Sequence, residues 1–119
     1  MLIRWSIAET LTQKGHTVVE ASNAEAAIRM LTDHPQAPID VVLLDFRLPD
    51  SSDLRLLERI RKMRPRSAVV MMTAFGAPEI TRGALERGAY RVVGKPFDMH
   101  TLESLVLEAN SARPQLVLP

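Results

Sequence analysis

The sequence predicts an α/β domain built on a parallel sheet, and three observations carry that reading. Ile39 to Leu44 is apolar except for Asp40, and Ala68 to Met72 is apolar throughout. Short runs of this kind suit strands covered on both faces, whereas half-exposed strands alternate. Segments of helical periodicity lie between the runs, and such alternation marks a parallel sheet with crossover helices. The chain has 119 residues, 46% of them hydrophobic, which is the size and composition of one domain with one core.

Each element has its own local cause. Ile3, Ile7 and Leu11 recur at i, i+4 and i+8, which predicts a helix at the start of the chain. Gly15 falls where a left-handed C-terminal cap belongs. Thr17 to Ala21 is a weaker strand candidate. Ser22 precedes a helical stretch from Ala24 to Leu31, with Glu25 three positions on, the spacing of a capping box. The run 39–44 is the next strand. Asp53 is placed to cap Leu54 to Met63, whose Leu56, Leu57 and Ile60 share a face, and Pro65 stops that helix. After the run 68–72, Pro78 suits the first turn of a helix over Glu79 to Arg87, closed by Gly88. Arg91 to Val93 is a second weak strand, and Asp98 is placed to cap a last helix with Leu102, Leu105, Val106 and Ala109 on one side. The order is a helix followed by four strand–helix units over residues 1–109. Residues 110–119, with two prolines, read as a linker stub.

Composition excludes several classes of function. Lys and Arg number 15 against 14 Asp and Glu, a net charge of +1, whereas a nucleic-acid surface spread over the domain needs a basic excess. There is no cysteine, hence no disulfide framework, thiolate metal site or Cys nucleophile. No apolar run approaches the roughly 20 residues of a membrane span, and Met1 to Ile7 lacks the zones of a secretory signal. A soluble cytoplasmic domain, bound neither to a membrane nor itself to nucleic acid, is the expectation. His16, His34 and His100 lack metal-ligand spacing. The basic run Arg55, Arg59, Arg61, Lys62, Arg64 and Arg66 reads as a solvated helix face that could meet an acidic partner.

Polar residues follow the apolar runs in a telling way. The run 39–44 delivers Asp45, the run 68–72 delivers Thr73, and 91–93 delivers Gly94 and then Lys95. In an open parallel sheet the C-terminal strand ends share one edge, where ligands bind. Alone, an Asp after a strand is ordinarily a turn or capping residue, a Thr there is structural, and a Lys is solvated surface. Together they suit phosphoryl transfer onto the carboxylate. Asp can act as nucleophile, and the spread charge of the transferred group is met by an ammonium, a hydroxyl and a hard cation such as magnesium.

These residues resemble the receiver domain of two-component response regulators. The motifs are Leu43-Leu44-Asp45-Phe46-Arg47-Leu48-Pro49, Met72-Thr73-Ala74 and Gly94-Lys95-Pro96-Phe97, and the resemblance runs from about Leu2 to Ala109. The opening Ile3-Arg4-Trp5 looks most like the nitrogen-regulator type, whose receivers control enhancer-binding transcription activators. The resemblance implies a flavodoxin-like, doubly wound fold of strand order 2-1-3-4-5. It implies that Asp45 is the phosphoacceptor, supplied by a histidine kinase or phosphotransfer protein. Thr73 would be the switch hydroxyl, Lys95 the phosphate-pairing lysine with a cis bond to Pro96, and Asp45 with the main-chain carbonyl of Arg47 magnesium ligands. The domain would be a phosphoprotein and not an enzyme, its output a changed surface used for partner contact or dimerisation.

Three departures from the family pattern stand out. The aromatic switch position three residues before the lysine holds Val92, and Tyr90 is not its equivalent. The Gly usual eight residues after the phosphoacceptor is Asp53. Most consequentially, the family's first strand and the acidic pair at its end, which bind magnesium, have no counterpart in these residues, which begin at the first helix. That strand lies inside the sheet. Four or five apolar side chains at roughly 1.5–3 kcal/mol each make its absence worth on the order of 10 kcal/mol, against a domain stability of about 5–15 kcal/mol. Either Met1 is an internal methionine of a longer protein, or the sheet is repaired by strand swapping, dimerisation or rearrangement. Without the acidic pair these residues are expected to bind magnesium weakly and to phosphorylate poorly, whereas a full-length parent that carries it phosphorylates normally. The rival functions are a receiver-like interaction module that is never phosphorylated and an aspartate-nucleophile phosphatase. The phosphatase needs a second Asp where this chain has Arg47.

Overall fold

The computed structural model describes residues 2–35, 38–46, 54–73, 78–94 and 101–112, and from the second helix onward helices and strands alternate as a doubly wound sheet requires. The order is α1 (Leu2–Gln13), α2 (Ala24–Asp33), β1 (Val41–Asp45), α3 (Arg55–Met63), β2 (Ala68–Thr73), α4 (Pro78–Glu86), β3 (Arg91–Gly94) and α5 (Leu102–Ala112). The strands form one parallel sheet, β1-β2-β3, with Val41 opposite Ala68 and Val70 opposite Arg91.

Side-chain alternation divides the core in two. Val41, Leu43, Val70, Met72 and Val93 face α1 and α5, meeting Ile7, Leu11, Leu102, Val106 and Ala109. Val42, Leu44, Val69, Met71 and Val92 face α2, α3 and α4, meeting Leu31, Leu56, Leu57, Ile60 and Ala84. Both faces are therefore covered, and this is why the strands read as unbroken apolar runs. The central strand β2 is buried at every residue.

Several local signals act as the sequence predicts. Gly15 and Gly88 take positive φ, 93° and 101°, as αL caps do. Beyond Gly15, His16 N donates to Leu11 O at 3.0 Å, and beyond Gly88, Ala89 N donates to Ala84 O at 3.0 Å, so both helices close with the same wrap. Pro78 opens α4 and α3 stops before Pro65.

Other expectations need correction. Thr17–Ala21 carries no strand, so the described sheet has three strands and not four. The cause is the lack of a neighbouring backbone. In the order 2-1-3-4-5 that segment reaches β1 only across an inner strand, and no described residue supplies one. Val18 still packs on the α1/α5 side of the core, while Val19 is 59% exposed. The cap of α2 is Asn23 and not Ser22. The helix begins at Ala24, so the Asn23 side chain is the one in reach of Ala26 N, which donates to it at 2.7 Å. At α3 the N-cap position belongs to Leu54, which gives no side-chain cap bond. Asp53 and Asp98, the expected caps of α3 and α5, lie outside the described residues. Helix α5 continues through Asn110 to Ala112, into the stretch read as linker, because nothing before Pro114 interrupts it.

Candidate functional site

β1 ends at Asp45, β2 at Thr73 and β3 at Gly94. The register sets Asp45 opposite Met72 and Thr73 opposite Gly94, so the three ends form one edge of the sheet. Neighbouring strands lie about 4.8 Å apart, which brings Asp45 and Thr73 together on adjacent strands, one residue out of step. The ladder runs one step beyond β1: Phe46 N donates to Met72 O at 2.8 Å, which fixes the backbone immediately after Asp45.

The environments of the two side chains differ. Thr73 is 3% exposed, one of the few buried polar residues, while Asp45 is half-buried. Alternation carries Asp45, with Val41 and Leu43, toward the α1/α5 side, and Thr73, with Val69 and Met71, toward the α3/α4 side. Val92 lies on the same side as Thr73, half-buried against the core. The position where the resemblance calls for an aromatic switch therefore holds a small branched side chain. Tyr90 is occupied elsewhere: its N–H donates to Val69 O at 2.7 Å, its ring packs on the α5 side, and the Arg91 guanidinium sits 5.4 Å from the ring centroid.

Lys95 follows Gly94 directly in sequence, but Lys95 and Arg47 lie outside the described residues. The donors at the described edge are the Asp45 carboxylate and the Thr73 hydroxyl, both oxygens, as magnesium prefers. Among the described residues no group of three or more His, Cys, Asp or Glu could hold a metal. The Asp45 carboxylate fits as one oxygen ligand of such an ion.

One polar contact near this end of the molecule escaped sequence reasoning. His16 Nε2 lies 3.0 Å from Glu103 Oε2, and Lys14 Nζ lies 3.8 Å from Glu103 Oε1, tying the end of α1 to the first turn of α5. Eighty-seven positions separate His16 and Glu103, and no local pattern encodes such a pair.

With this geometry in hand, comparison with known proteins is informative. The profile of the response regulator receiver domain matches residues 1–107. The chain is 35% identical over 118 residues to the DNA-binding transcriptional regulator NtrC of Azospirillum brasilense, covering 98% of this chain and 24% of that protein. It is 37% identical over 89 residues to the response regulator protein PilR of Pseudomonas aeruginosa, covering 75% and 19%. The chain thus spans about a quarter of the length of the curated relatives it matches. Among solved structures, the receiver domain of NtrX from Brucella abortus superposes with a TM-score of 0.80 at 34% identity, over 92% of this chain and 91% of that one. A CheY-like receiver domain protein from Methanospirillum hungatei gives 0.84 at 25% identity, over 92% and 86%.

Proposed function

The chain belongs to the response regulator receiver domain family, and from that premise we propose that Asp45 accepts a phosphoryl group from the phosphohistidine of a kinase or phosphotransfer protein. The observation that carries this reading is the shared strand edge: Asp45 and Thr73 close adjacent parallel strands, and Lys95 follows the end of the third. A receiver domain in two-component phosphorelay signalling is the function that the whole chain fits.

The transfer is a displacement at phosphorus. An Asp45 carboxylate oxygen forms the new P–O bond, the P–N bond to the donor imidazole breaks, and the departing nitrogen takes up a proton. Little covalent work is asked of the protein beyond positioning and charge stabilisation. Asp45 supplies the nucleophile from a backbone held by the Phe46–Met72 hydrogen bond. Thr73 donates its hydroxyl to one phosphoryl oxygen, and Lys95 pairs with another. Asp45 and, as the resemblance implies, the main-chain carbonyl of Arg47 would hold a magnesium ion, which would supply positive charge to offset that of the transferred group. The resulting phosphate, near −2 in charge, alters the contacts of the β2–α4 and β3–α5 connections. Thr73 and Val92 on one side of the sheet relay that change without an aromatic ring between them.

The NtrC relative is a DNA-binding transcriptional regulator and PilR a response regulator protein, and we assign this chain the signal-receiving part of such a regulator, without catalytic turnover of its own. Among the described residues no helix is long and apolar enough to cross a membrane, in keeping with a cytoplasmic site of action. The test is intact mass after incubation with a small-molecule phosphodonor and magnesium. One phosphoryl increment is expected, absent in Asp45→Asn. A folded sample that gains nothing at any magnesium concentration overturns the assignment and favours an interaction module that signals unphosphorylated.

A further inference from the structure

The strand edge that bears Asp45 also carries an aromatic ring with no part in the phosphoryl chemistry itself. Phe46 follows Asp45 directly in sequence, is half-buried, and packs against the core on the side of α2, α3 and α4. Its backbone is fixed, since Phe46 N donates to Met72 O at 2.8 Å.

The parallel register places this ring. Asp45 stands opposite Met72, so one step further along both chains Phe46 stands opposite Thr73. Thr73 in turn stands opposite Gly94 on its other side. Neighbouring strands are about 4.8 Å apart, a spacing at which directly opposed side chains on one face are within reach of each other. Phe46 and Thr73 do share a face. Alternation carries Phe46 with Val42 and Leu44, and Thr73 with Val69 and Met71, toward α3 and α4. On that face the row across the strand ends is therefore a phenyl ring, a threonine and a glycine.

The two flanks of Thr73 are unlike. On the β3 flank, among the described residues, a Cβ added at Gly94 would meet nothing within 4 Å. On the β1 flank stands the ring. The threonine side chain chooses among three staggered positions at χ1, and an apolar neighbour makes them unequal. Turning the hydroxyl to the ring would set a polar group against hydrocarbon at a residue only 3% exposed, which is unfavourable. Turning the methyl to the ring buries apolar surface and keeps the hydroxyl off it.

We propose that Phe46 is a positioning residue for phosphoryl transfer: its ring holds the Thr73 methyl toward β1 and so keeps the Thr73 hydroxyl presented at the strand ends. The proposal rests on Asp45 as the phosphoacceptor. It puts the aromatic neighbour of Thr73 on β1, whereas the resemblance assigns a ring to β3, at the position where Val92 stands. The side chain of Phe46 then does for the hydroxyl what its N–H does for the backbone, tying the strand of the nucleophile to the strand of the donor.

The test uses the whole chain. Asp45 labelling by a small-molecule phosphodonor and magnesium is followed by intact mass, and threonine-labelled protein gives a methyl NMR spectrum. The Thr73 methyl signal, identified by its loss in Thr73→Val, should be displaced by the ring current and should rejoin the other threonine methyls in Phe46→Leu. Phe46→Leu should lower the labelling rate constant roughly three- to tenfold, as for a side chain no longer held in one of three rotamers. The half-saturating phosphodonor concentration should stay the same. In the Thr73→Val background, where the shape remains and the hydroxyl is gone, Phe46→Leu should change the rate by less than about twofold. Should the leucine variant not fold, Phe46→Met takes its place. A ring that only steadies β1 or places Asp45 would cost as much in both backgrounds, and that result overturns the proposal. So does a Thr73 methyl signal that ignores the ring, or a Phe46→Leu variant that labels at the parent rate. A parent chain that shows the displaced methyl and never labels overturns the phosphoacceptor reading, and the proposal with it.

Discussion

Replacing Thr73 by valine should slow phosphorylation of Asp45 by one to two orders of magnitude while leaving the fold in place. Valine keeps both branches of the threonine and exchanges only the hydroxyl for a methyl, so packing at this 3% exposed position is preserved. What is lost is one hydrogen bond to a phosphoryl oxygen, and bonds to a charged acceptor are worth about 1.5–3 kcal/mol. At 1.36 kcal/mol per decade that is roughly a 10- to 150-fold change in rate. The site's shape sharpens the estimate. Thr73 is too buried for water to take over the donation, and alternation along β1 and β2 directs Thr73 and Asp45 to opposite sides of the sheet. The bond from the hydroxyl to the phosphoryl oxygen forms only once that group lies between the strand ends. An interaction made only with the transferring group lowers the rate constant and leaves the concentration of phosphodonor for half-maximal rate almost unchanged.

The assay is the time course of the phosphoryl increment by intact mass at several phosphodonor concentrations. Denaturant midpoints are measured alongside. Thr73→Ser is the companion variant: it keeps the donor and loses a buried methyl, at a cost of about 1 kcal/mol in stability and little in rate. A valine variant within about twofold of the parent rate would refute the role given to this hydroxyl. So would a serine variant slower than the valine one.

Three further outcomes follow from the same structure. Gly88→Ala should cost about 2–4 kcal/mol in denaturant unfolding, because φ is +101° and the new Cβ would meet Arg61 Nε at 2.8 Å, disturbing its bonds to Pro65 O and Ser67 O; in the Arg61→Ala background the loss should shrink toward the backbone strain alone, and strict additivity would exclude the clash as its cause. Asn110→Ala should raise stability by about 1 kcal/mol and the melting temperature by about 4 °C, since Asn110 Oδ1 is buried without a hydrogen-bond partner; an unchanged or lower melting temperature counts against that oxygen as a source of instability. Labelling of Asp45 should require magnesium and stop when a chelator removes it, since a hard cation is needed to offset the charge of the transferred group; labelling that continues unchanged in chelator would refute that role.

The parts of the fold that were legible in the sequence are those fixed by local chemistry or by burial on two faces. β2 reads as a strand because Ala68 to Met72 has no polar residue, and it has none because α5 packs on one face of it and α3 on the other. The ends of α1 and α4 are readable because Gly15 and Gly88 must each reach positive φ. The cap of α2 was misplaced by one residue, since Ser22 and Asn23 are both good caps and only the backbone chooses between them. Thr17–Ala21 is the instructive failure. Its β-branched residues favour extension, but a strand exists only by pairing, and its pairing partner is a matter of sheet order and not of its own composition.

The site divides along the same line. The shared edge of Asp45, Thr73 and Gly94 was legible because strands reveal themselves as apolar runs, and a parallel sheet turns three distant run-ends into one edge. A pair such as His16 and Glu103, made by helices meeting across the core, leaves no mark on spacing or periodicity.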